Sequence, residues 1–231
     1  MRYKMRSVRT TLRQAIDSGL HTYLLRVYRY MGLGLAVTGV LAYLLSGVRP
    51  QTLGILPTIA TFSLLGISIY FSAAFNRMSA STAQGLFWVF SALMGLSLTG
   101  IFGFYRASSI ASAFFVTACT FGVMTVYAQN TKRDLTGIGS FCRMGLWGII
   151  IAGFVNIFLK NSMVDFITSL IGVGVFTGLI AYQTQNLRQM YYALPNDEEI
   201  RQKMAIAGAL NLYMSVINLF LSLLRLMGDR K

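Results

Sequence analysis

The amino-acid sequence predicts an all-α integral membrane protein, a bundle of seven transmembrane helices. Of its 231 residues, 55% are hydrophobic and only 12% are charged, and the mean hydropathy is +0.60. Seven apolar segments each approach the roughly 20 residues that cross a hydrocarbon core of about 30 Å. The connections between these segments are short, which favours one compact bundle.

The seven spans follow one another with aromatic residues near many of their ends, where tyrosine and tryptophan favour the membrane interface. The spans are predicted at Tyr28–Leu45, Leu53–Ala74, Ala83–Phe104, Ile110–Ala128, Met144–Leu159, Phe166–Thr184 and Ala205–Met227. The aromatic anchors are Tyr28, Tyr43, Tyr70, Trp88, Tyr105, Tyr127, Trp147 and Tyr182.

Small residues indicate where helices approach one another closely. In the first span they are Gly32, Ala36 and Gly39, and in the sixth Gly174 and Gly178 form a GxxxG pattern. Such patterns let two helix backbones meet. We expect packing within the molecule, with dimerisation through GxxxG as the alternative.

The longest predicted loop, residues 185–204, joins the sixth and seventh spans. Asn196 or Asp197 can cap a helix whose first turn contains Glu198 and Glu199, as the helix dipole favours. The seventh helix is therefore predicted to begin before it enters the membrane.

Three parts are predicted along the chain: a basic tail (1–26), the seven-helix transmembrane domain (27–228) and a short C-terminal tail (229–231). In the first tail, Leu12, Ile16, Leu20 and Leu24 lie on one face of an Arg-rich helix. The pattern favours an amphipathic helix on the cytoplasmic leaflet. A mitochondrial targeting peptide is the alternative.

The net charge of +13 is explained by membrane topology rather than by nucleic-acid binding. With the N-terminus in the cytoplasm, 14 of the 20 Lys and Arg residues lie inside and 6 outside. Seven spans then place the C-terminus outside. The basic C-terminal residues fit the charge rule better inside, which a re-entrant final helix would allow.

Catalytic and metal-binding functions are not expected. The seven acidic residues all lie in tails, loops or span edges, and the one histidine, His21, lies in the tail. No cofactor and no enzymatic activity are predicted, because neither a metal set nor a Ser/His protease arrangement is available. Cys119 and Cys142 are interpreted as small buried hydrophobic residues.

A polar stripe marks the seventh span. At 100° per residue, its members fall within about 80° of one another. They are Asn211, Ser215, Asn218, Ser222 and Arg225. Polar groups in lipid must face protein or water, so the stripe acts either as interhelical hydrogen-bonding groups or as the wall of a hydrated conduit.

Four further segments carry a family resemblance. They are Tyr28–Leu35 in the first span, Thr131–Leu135 after the fourth, Ala181–Gln185 at the end of the sixth, and Leu212–Phe220 in the last. In their order, spacing and seven-span context, these segments resemble the Bax inhibitor family of transmembrane proteins. The resemblance covers nearly all of the chain.

The resemblance implies a bundle whose last helix is wrapped by the other six, and a pH-sensitive calcium leak. In the family an aspartate pair, one from each of the last two helices, forms the pH sensor. This chain has Gln183 and Ser215 at those positions. A neutral amide and hydroxyl can hydrogen-bond but do not titrate near neutral pH. We therefore expect the architecture to be kept, the pH switch to be lost and calcium selectivity to be weakened.

Two functions follow as alternatives. The first is a passive ion leak, with Ca²⁺ as the permeating ion and a path along Asn211, Ser215, Asn218 and Ser222, with Gln183 at its neck. The second is a non-conducting interaction protein that modulates a membrane-bound protease or a cell-stress response, as some bacterial relatives do. Both place the chain in a lipid bilayer, and short loops suit a bacterial inner membrane.

Overall fold

In the computed structural model, residues 2–48, 50–195, 197–229 and 231 are described, with side chains from residue 19 onward except residues 49–51, 196 and 230. The chain is helical almost throughout this part. The helices are α1 (Arg2–Ser46), α2 (Pro50–Leu53), α3 (Leu56–Ala74), α4 (Ala80–Ser97), α5 (Ile101–Phe104), α6 (Ala107–Asn130), α7 (Thr136–Leu159), α8 (Ser162–Ala193) and α9 (Glu198–Met227).

The predicted seven-span fold is confirmed. Within the described residues, seven helices are long and apolar enough to cross a membrane. Their spans are Gly19–Ser46, Leu56–Ala74, Ala80–Phe104, Ala107–Asn130, Thr136–Leu159, Ser162–Ala193 and Glu198–Met227. The third combines α4 and α5 through a 3₁₀ turn at Leu98–Gly100. Because α1 runs from Arg2 without a break, the predicted tail joins the first span as one helix, and the amphipathic face of residues 2–18 lies outside the described side chains.

The long loop predicted between the sixth and seventh spans is wrong. α8 continues to Ala193 and α9 begins at Glu198, so only four residues connect them. Residues 185–193 and 198–204 are polar because they extend beyond the hydrocarbon core, not because the helix ends there. The Asp197 carboxylate caps α9 by accepting hydrogen bonds from the Glu199 and Ile200 amides, at 2.8 and 3.3 Å. The other predicted cap, Asn196, lies outside the described residues.

The last helix, α9, is the most buried span in the described part of the chain. In its most apolar 18-residue stretch 61% of residues are buried, against 33% or less in each other span. Its main partners are α1, α4, α6 and α8, while α3 packs chiefly on α4 and α7 on α8. Wrapping of α9 by all six other spans therefore stays a prediction. The outer faces carry large exposed apolar side chains such as Phe141, Trp147 and Phe158, as contact with lipid requires.

The prediction of a small-residue packing face on α1 is wrong. Gly32, Ala36 and Gly39 are exposed. The close approach to α4 is made by Gly34 instead, where an added Cβ would come within 2.7 Å of the Phe87 ring. Glycine spacing alone could not identify this face, because the position of the partner helix decides which glycine is enclosed.

Only one of the two glycines in the GxxxG segment of α8 makes a close contact. A Cβ on Gly178 would come within 2.5 Å of Cys142 Sγ on α7, whereas nothing lies within 4 Å of one on Gly174. The contact is within the molecule, as predicted. Cys142 is buried, but the predicted burial of Cys119 is wrong, since it lies on an exposed face of α6.

The two ends of the bundle differ in charge. One end holds the connections 75–79, 131–135 and 194–197, and its basic residues with described side chains are Arg26, Arg29, Arg77, Lys132, Arg133, Arg143, Arg188, Arg201 and Lys203. The described basic residues of the other end are Arg106, Lys160, Arg225 and Lys231. α9 crosses once, and Lys231 donates through its amide to Phe104 O at 3.0 Å, at the less basic end. A re-entrant final helix is therefore not the arrangement observed, and a cytoplasmic basic end stays a prediction.

Candidate functional site at the contact of α8 and α9

A polar contact on α8 and α9 joins two of the positions at which the sequence predicted site residues. Ser215 on α9 donates from Oγ to Gln183 Oε1 on α8, at 3.0 Å. The Ser215 residue is only 3% exposed, and Gln183 is half-buried. The hydroxyl and the amide oxygen pair without charge, which makes this contact a neutral bridge between the two helices.

Neighbouring residues hold Gln183 in place. The Tyr182 ring packs against Gly139 of α7, so closely that a Cβ there would overlap the ring, and the Arg143 guanidinium carbon lies 5.2 Å from the ring centre. Two residues on, Gln185 accepts from Leu135 N and donates to Arg133 O, each at 2.8 Å. The end of α8 is thereby fixed to α7 and to the α6–α7 connection. These supporting roles were not predicted, although four of the residues lie in the segments that carry the family resemblance.

The same connection holds a second local contact. Asp134 accepts hydrogen bonds from the Thr136 hydroxyl at 2.6 Å and from the Thr136 amide at 3.0 Å. These bonds favour the ionised carboxylate and lower the pKa of Asp134 below its usual range. They stabilise the first turn of α7.

The other stripe residues do not form a single line of interhelical bonds. Ser222 is buried against α8, where a Cβ on Gly172 would come within 2.6 Å of its Oγ. Asn218 is half-buried and donates to Met214 O of its own helix at 2.8 Å. Asn211 and Arg225 are exposed. Only Ser215 and Ser222 are thus enclosed against α8.

A second polar cluster in the core was missed from the sequence. Thr38 on α1 donates to Ser91 O on α4 at 2.8 Å, so the hydrogen bond of 2.6 Å between Thr38 and Tyr213 comes from the Tyr213 hydroxyl. Tyr213 is fully buried and packs edge-on against Phe87 and Phe90. The cluster ties α1, α4 and α9 together. A tyrosine next to the stripe, within a segment of family resemblance, was the available signal.

Acidic residues stand away from this site. Those with described side chains are Asp134, Asp165, Asp197, Glu198, Glu199 and Asp229, all in connections or at helix ends. Asp165 accepts from Asn156 Nδ2 at 2.6 Å, and Asn156 in turn accepts from Asn161 N at 2.9 Å. Asn156 thus fixes the α7–α8 turn. Among the described residues, no three His, Cys, Asp or Glu side chains are grouped so that they could hold a metal ion.

These features define a class: a polytopic membrane protein with a buried last helix and a neutral hydrogen bond between its last two helices. The model of the family described as "Inhibitor of apoptosis-promoting Bax1" matches residues 20–231. The chain belongs to this family, the Bax inhibitor family, as its resemblance indicated.

Bacterial relatives match the chain over nearly their full length. The protein RP147 of Rickettsia prowazekii is 48% identical over 229 residues, which cover 96% of this chain and 95% of the relative. A protein of Borreliella burgdorferi is 42% identical, covering 90% and 92%. The inner membrane protein YbhL of Escherichia coli K12 is 41% identical, covering 93% and 94%.

Proposed function

We propose that this protein is a passive ion leak of a bacterial inner membrane, with Ca²⁺ as a permeating ion and the Gln183–Ser215 bridge as its neck. The inner membrane is proposed from the similarity to YbhL and from the seven apolar spans. The role of the bridge is proposed from the family resemblance together with the hydrogen bond between the two side chains. In this proposal neither group changes charge between about pH 6 and pH 8, so the leak does not respond to pH.

The hydrogen bond from Ser215 to Gln183 is the observation that carries the proposal. It joins α8 and α9 at the two positions where the family resemblance implies carboxylates. Two carboxylates in contact would share a proton, because a like charge raises one of the two pKa values. A neutral bridge keeps the contact but attracts a divalent cation less strongly than a carboxylate does.

The test is calcium flux into dye-loaded liposomes that contain the purified protein, measured between about pH 6 and pH 8. Wild type is expected to give a weak flux that does not vary with pH. The double change Gln183→Asp with Ser215→Asp is expected to give a larger flux with a titration midpoint in this range. Asn218→Asp is the matched control, because it adds a carboxylate one turn along α9 at a side chain bonded within its own helix.

The expected pattern distinguishes the neck from added charge in general. A gain of pH dependence in the double variant alone supports the proposal. The same gain in Asn218→Asp would show that any carboxylate on this face suffices and that the bridge is not the neck. A flux absent from both wild type and the double variant would remove the leak function.

A second candidate is a non-conducting interaction protein that modulates a membrane-bound protease or a stress response. It is favoured by the position of the described acidic residues, which all lie in connections or at helix ends. A protein that does not conduct ions needs no charged group within the bundle. α7 suits a partner contact, because it packs chiefly on α8 and exposes Phe141, Trp147 and Phe154. Both candidates are non-enzymatic. Co-purification of a protease with wild type, reduced by Trp147→Ala, would support this second function.

A further inference from the structure

A polar pocket of about 230 Å³ lies at the basic end of the bundle, where α1, α8 and α9 meet. Its lining includes Tyr23 and Arg26 from α1, Tyr191 from α8, and Glu198 and Arg201 from α9. It lies near the N-terminal end of the first span, far from the connection between α1 and α3. The pocket is separate from the Gln183–Ser215 bridge, so what it binds does not depend on the proposed leak.

One arginine of the lining, Arg26, already forms an ion pair with a carboxylate of the same chain. Arg26 donates from a terminal guanidinium nitrogen to Glu198 Oε1 at 2.6 Å. The Arg26 side chain is 28% exposed, and that of Glu198 is 70% exposed. A carboxylate this exposed loses little contact with the protein when it leaves the arginine for water, so the ion pair can be displaced by a stronger anion.

Two residues of the lining each carry a buried donor that lacks an acceptor. The Tyr23 hydroxyl and Arg201 Nε have no hydrogen-bond partner among the described residues, although Tyr23 is only 4% exposed. The rest of the Arg201 guanidinium lies over the Tyr191 ring, with its carbon 5.1 Å from the ring centre. Buried donors without acceptors cost free energy, and buried polar groups in folded proteins are normally satisfied. The lining thus supplies donors in excess of acceptors.

We propose that this pocket binds a phosphate group between Arg26 and Arg201, from inorganic phosphate or from the headgroup of an anionic phospholipid, and that Glu198 is an internal competitor that holds Arg26 when the phosphate is absent. Two arginines against one glutamate give the lining a net positive charge. Guanidinium groups bind phosphate through paired charge-assisted hydrogen bonds.

The donors of the lining suit a phosphate better than a carboxylate. A carboxylate offers two oxygens on one side, whereas a phosphate offers oxygens in several directions and can serve separate donors on Arg26, Arg201 and Tyr23. The wall is tight near Gly19, where a Cβ would overlap the Tyr191 hydroxyl, so there is little room for a bulky anion at that side. The location at the basic end also matches the level at which anionic headgroups meet a membrane protein.

The test is thermal unfolding of the full chain in a neutral detergent, with inorganic phosphate titrated against chloride at equal ionic strength. Wild type is expected to be stabilised by phosphate, as any ligand of the native state does. Arg201→Gln is expected to weaken the apparent affinity by roughly tenfold, through loss of a charged donor. Arg188→Gln is the matched control, because this exposed arginine lies at the same end and donates to Gln129 O outside the pocket.

Two further variants separate binding from a structural role. If Glu198 holds Arg26 for about nine-tenths of the time, Glu198→Gln lowers the apparent dissociation constant about tenfold. Tyr23→Phe is expected to raise the unfolding midpoint without phosphate, because it removes an unsatisfied buried hydroxyl, and to lower the increment that phosphate adds. If Tyr23 only packed, its substitution would not be expected both to raise the unfolding midpoint without phosphate and to lower the increment that phosphate adds.

The source of the phosphate is distinguished in a second arm, with the protein in nanodiscs of phosphatidylcholine alone or mixed with phosphatidylglycerol. Stabilisation by phosphatidylglycerol that Arg201→Gln abolishes assigns the site to a lipid headgroup, and stabilisation by inorganic phosphate alone assigns it to a soluble anion. Equal responses of wild type and Arg201→Gln, or no response of wild type in either arm, would overturn the proposal.

Discussion

At the scale of single residues, the Thr38–Tyr213 contact shows that the two partners of one buried hydrogen bond are not equivalent. Thr38 donates to Ser91 O and accepts from Tyr213, so its oxygen serves both neighbours. Removing the threonine oxygen takes from the buried Tyr213 hydroxyl the acceptor that lies 2.6 Å away. Removing the tyrosine hydroxyl leaves Thr38 still bonded to Ser91.

We therefore expect Thr38→Val to lower the free energy of unfolding by about 1 to 3 kcal/mol, and Tyr213→Phe by only about 0.6 to 1 kcal/mol. Denaturant unfolding in micelles measures both. The double variant should cost less than the sum of the two, since both changes remove the same bond. Tyr30→Phe is the control, because its bond to Gln84 is half-exposed and longer, at 3.2 Å. Equal losses from Thr38→Val and Tyr213→Phe would contradict this donor assignment.

Individual residues were predictable where their chemistry left few partners. Gln183 and Ser215 could be paired in advance, because the resemblance assigned both positions to one contact and a buried amide needs a partner. Asn211 could not be separated from Ser215 by spacing alone. The two differ by about 40° on a helical wheel, and the position of α8 leaves one enclosed and the other exposed.

At the scale of helices, Gly95 controls how closely α4 approaches α1. A Cβ at this position would lie 2.8 Å from Thr38 O and 2.8 Å from Leu41 Cβ. The first of these is backbone of the facing helix, so it cannot turn away as a flexible side chain would. We expect Gly95→Ala to lower the free energy of unfolding by about 1 to 3 kcal/mol, because the two helices must separate.

The matched control for Gly95→Ala is Gly85→Ala, on the same helix, where nothing lies within 4 Å of an added Cβ. It is expected to change the free energy of unfolding by no more than about 0.5 kcal/mol. Thermal and denaturant unfolding of both variants gives the comparison. Similar losses in the two would mean that the approach of α1 does not set the cost, because helix propensity favours alanine over glycine at both positions.

The helices themselves were predictable, while their ends and faces were less so. Each span is identified by a run of apolar residues long enough to cross the membrane, so all seven were predicted. Hydropathy then marks where the chain leaves the lipid and not where the helix stops, which is why residues 185–193 and 198–204 were mistaken for loop. Gly34 and Gly95 escaped notice because nothing local distinguishes an enclosed glycine from an exposed one such as Gly32.

At the scale of the whole molecule, the charge difference between the two ends predicts a cytoplasmic N-terminus. In a variant without Cys119 and Cys142, we would place single cysteines by Asn76→Cys at the basic end and Ser162→Cys at the other. Both positions are exposed. In intact cells a membrane-impermeant maleimide is expected to label the Ser162→Cys variant, and to label the Asn76→Cys variant only after permeabilisation. The reverse pattern would invert the orientation.

The burial of α9 has a consequence for how the molecule is made. α9 is both the most enclosed span and the last of the seven to leave the ribosome. Until it arrives, the six earlier spans have no partner for Gln183 and no hydroxyl to meet Thr38, and the slot that α9 will fill is open to lipid. During synthesis the chain therefore passes through a six-span state in which these polar groups lack their final partners. Quality-control proteases have this interval in which to recognise an incomplete chain.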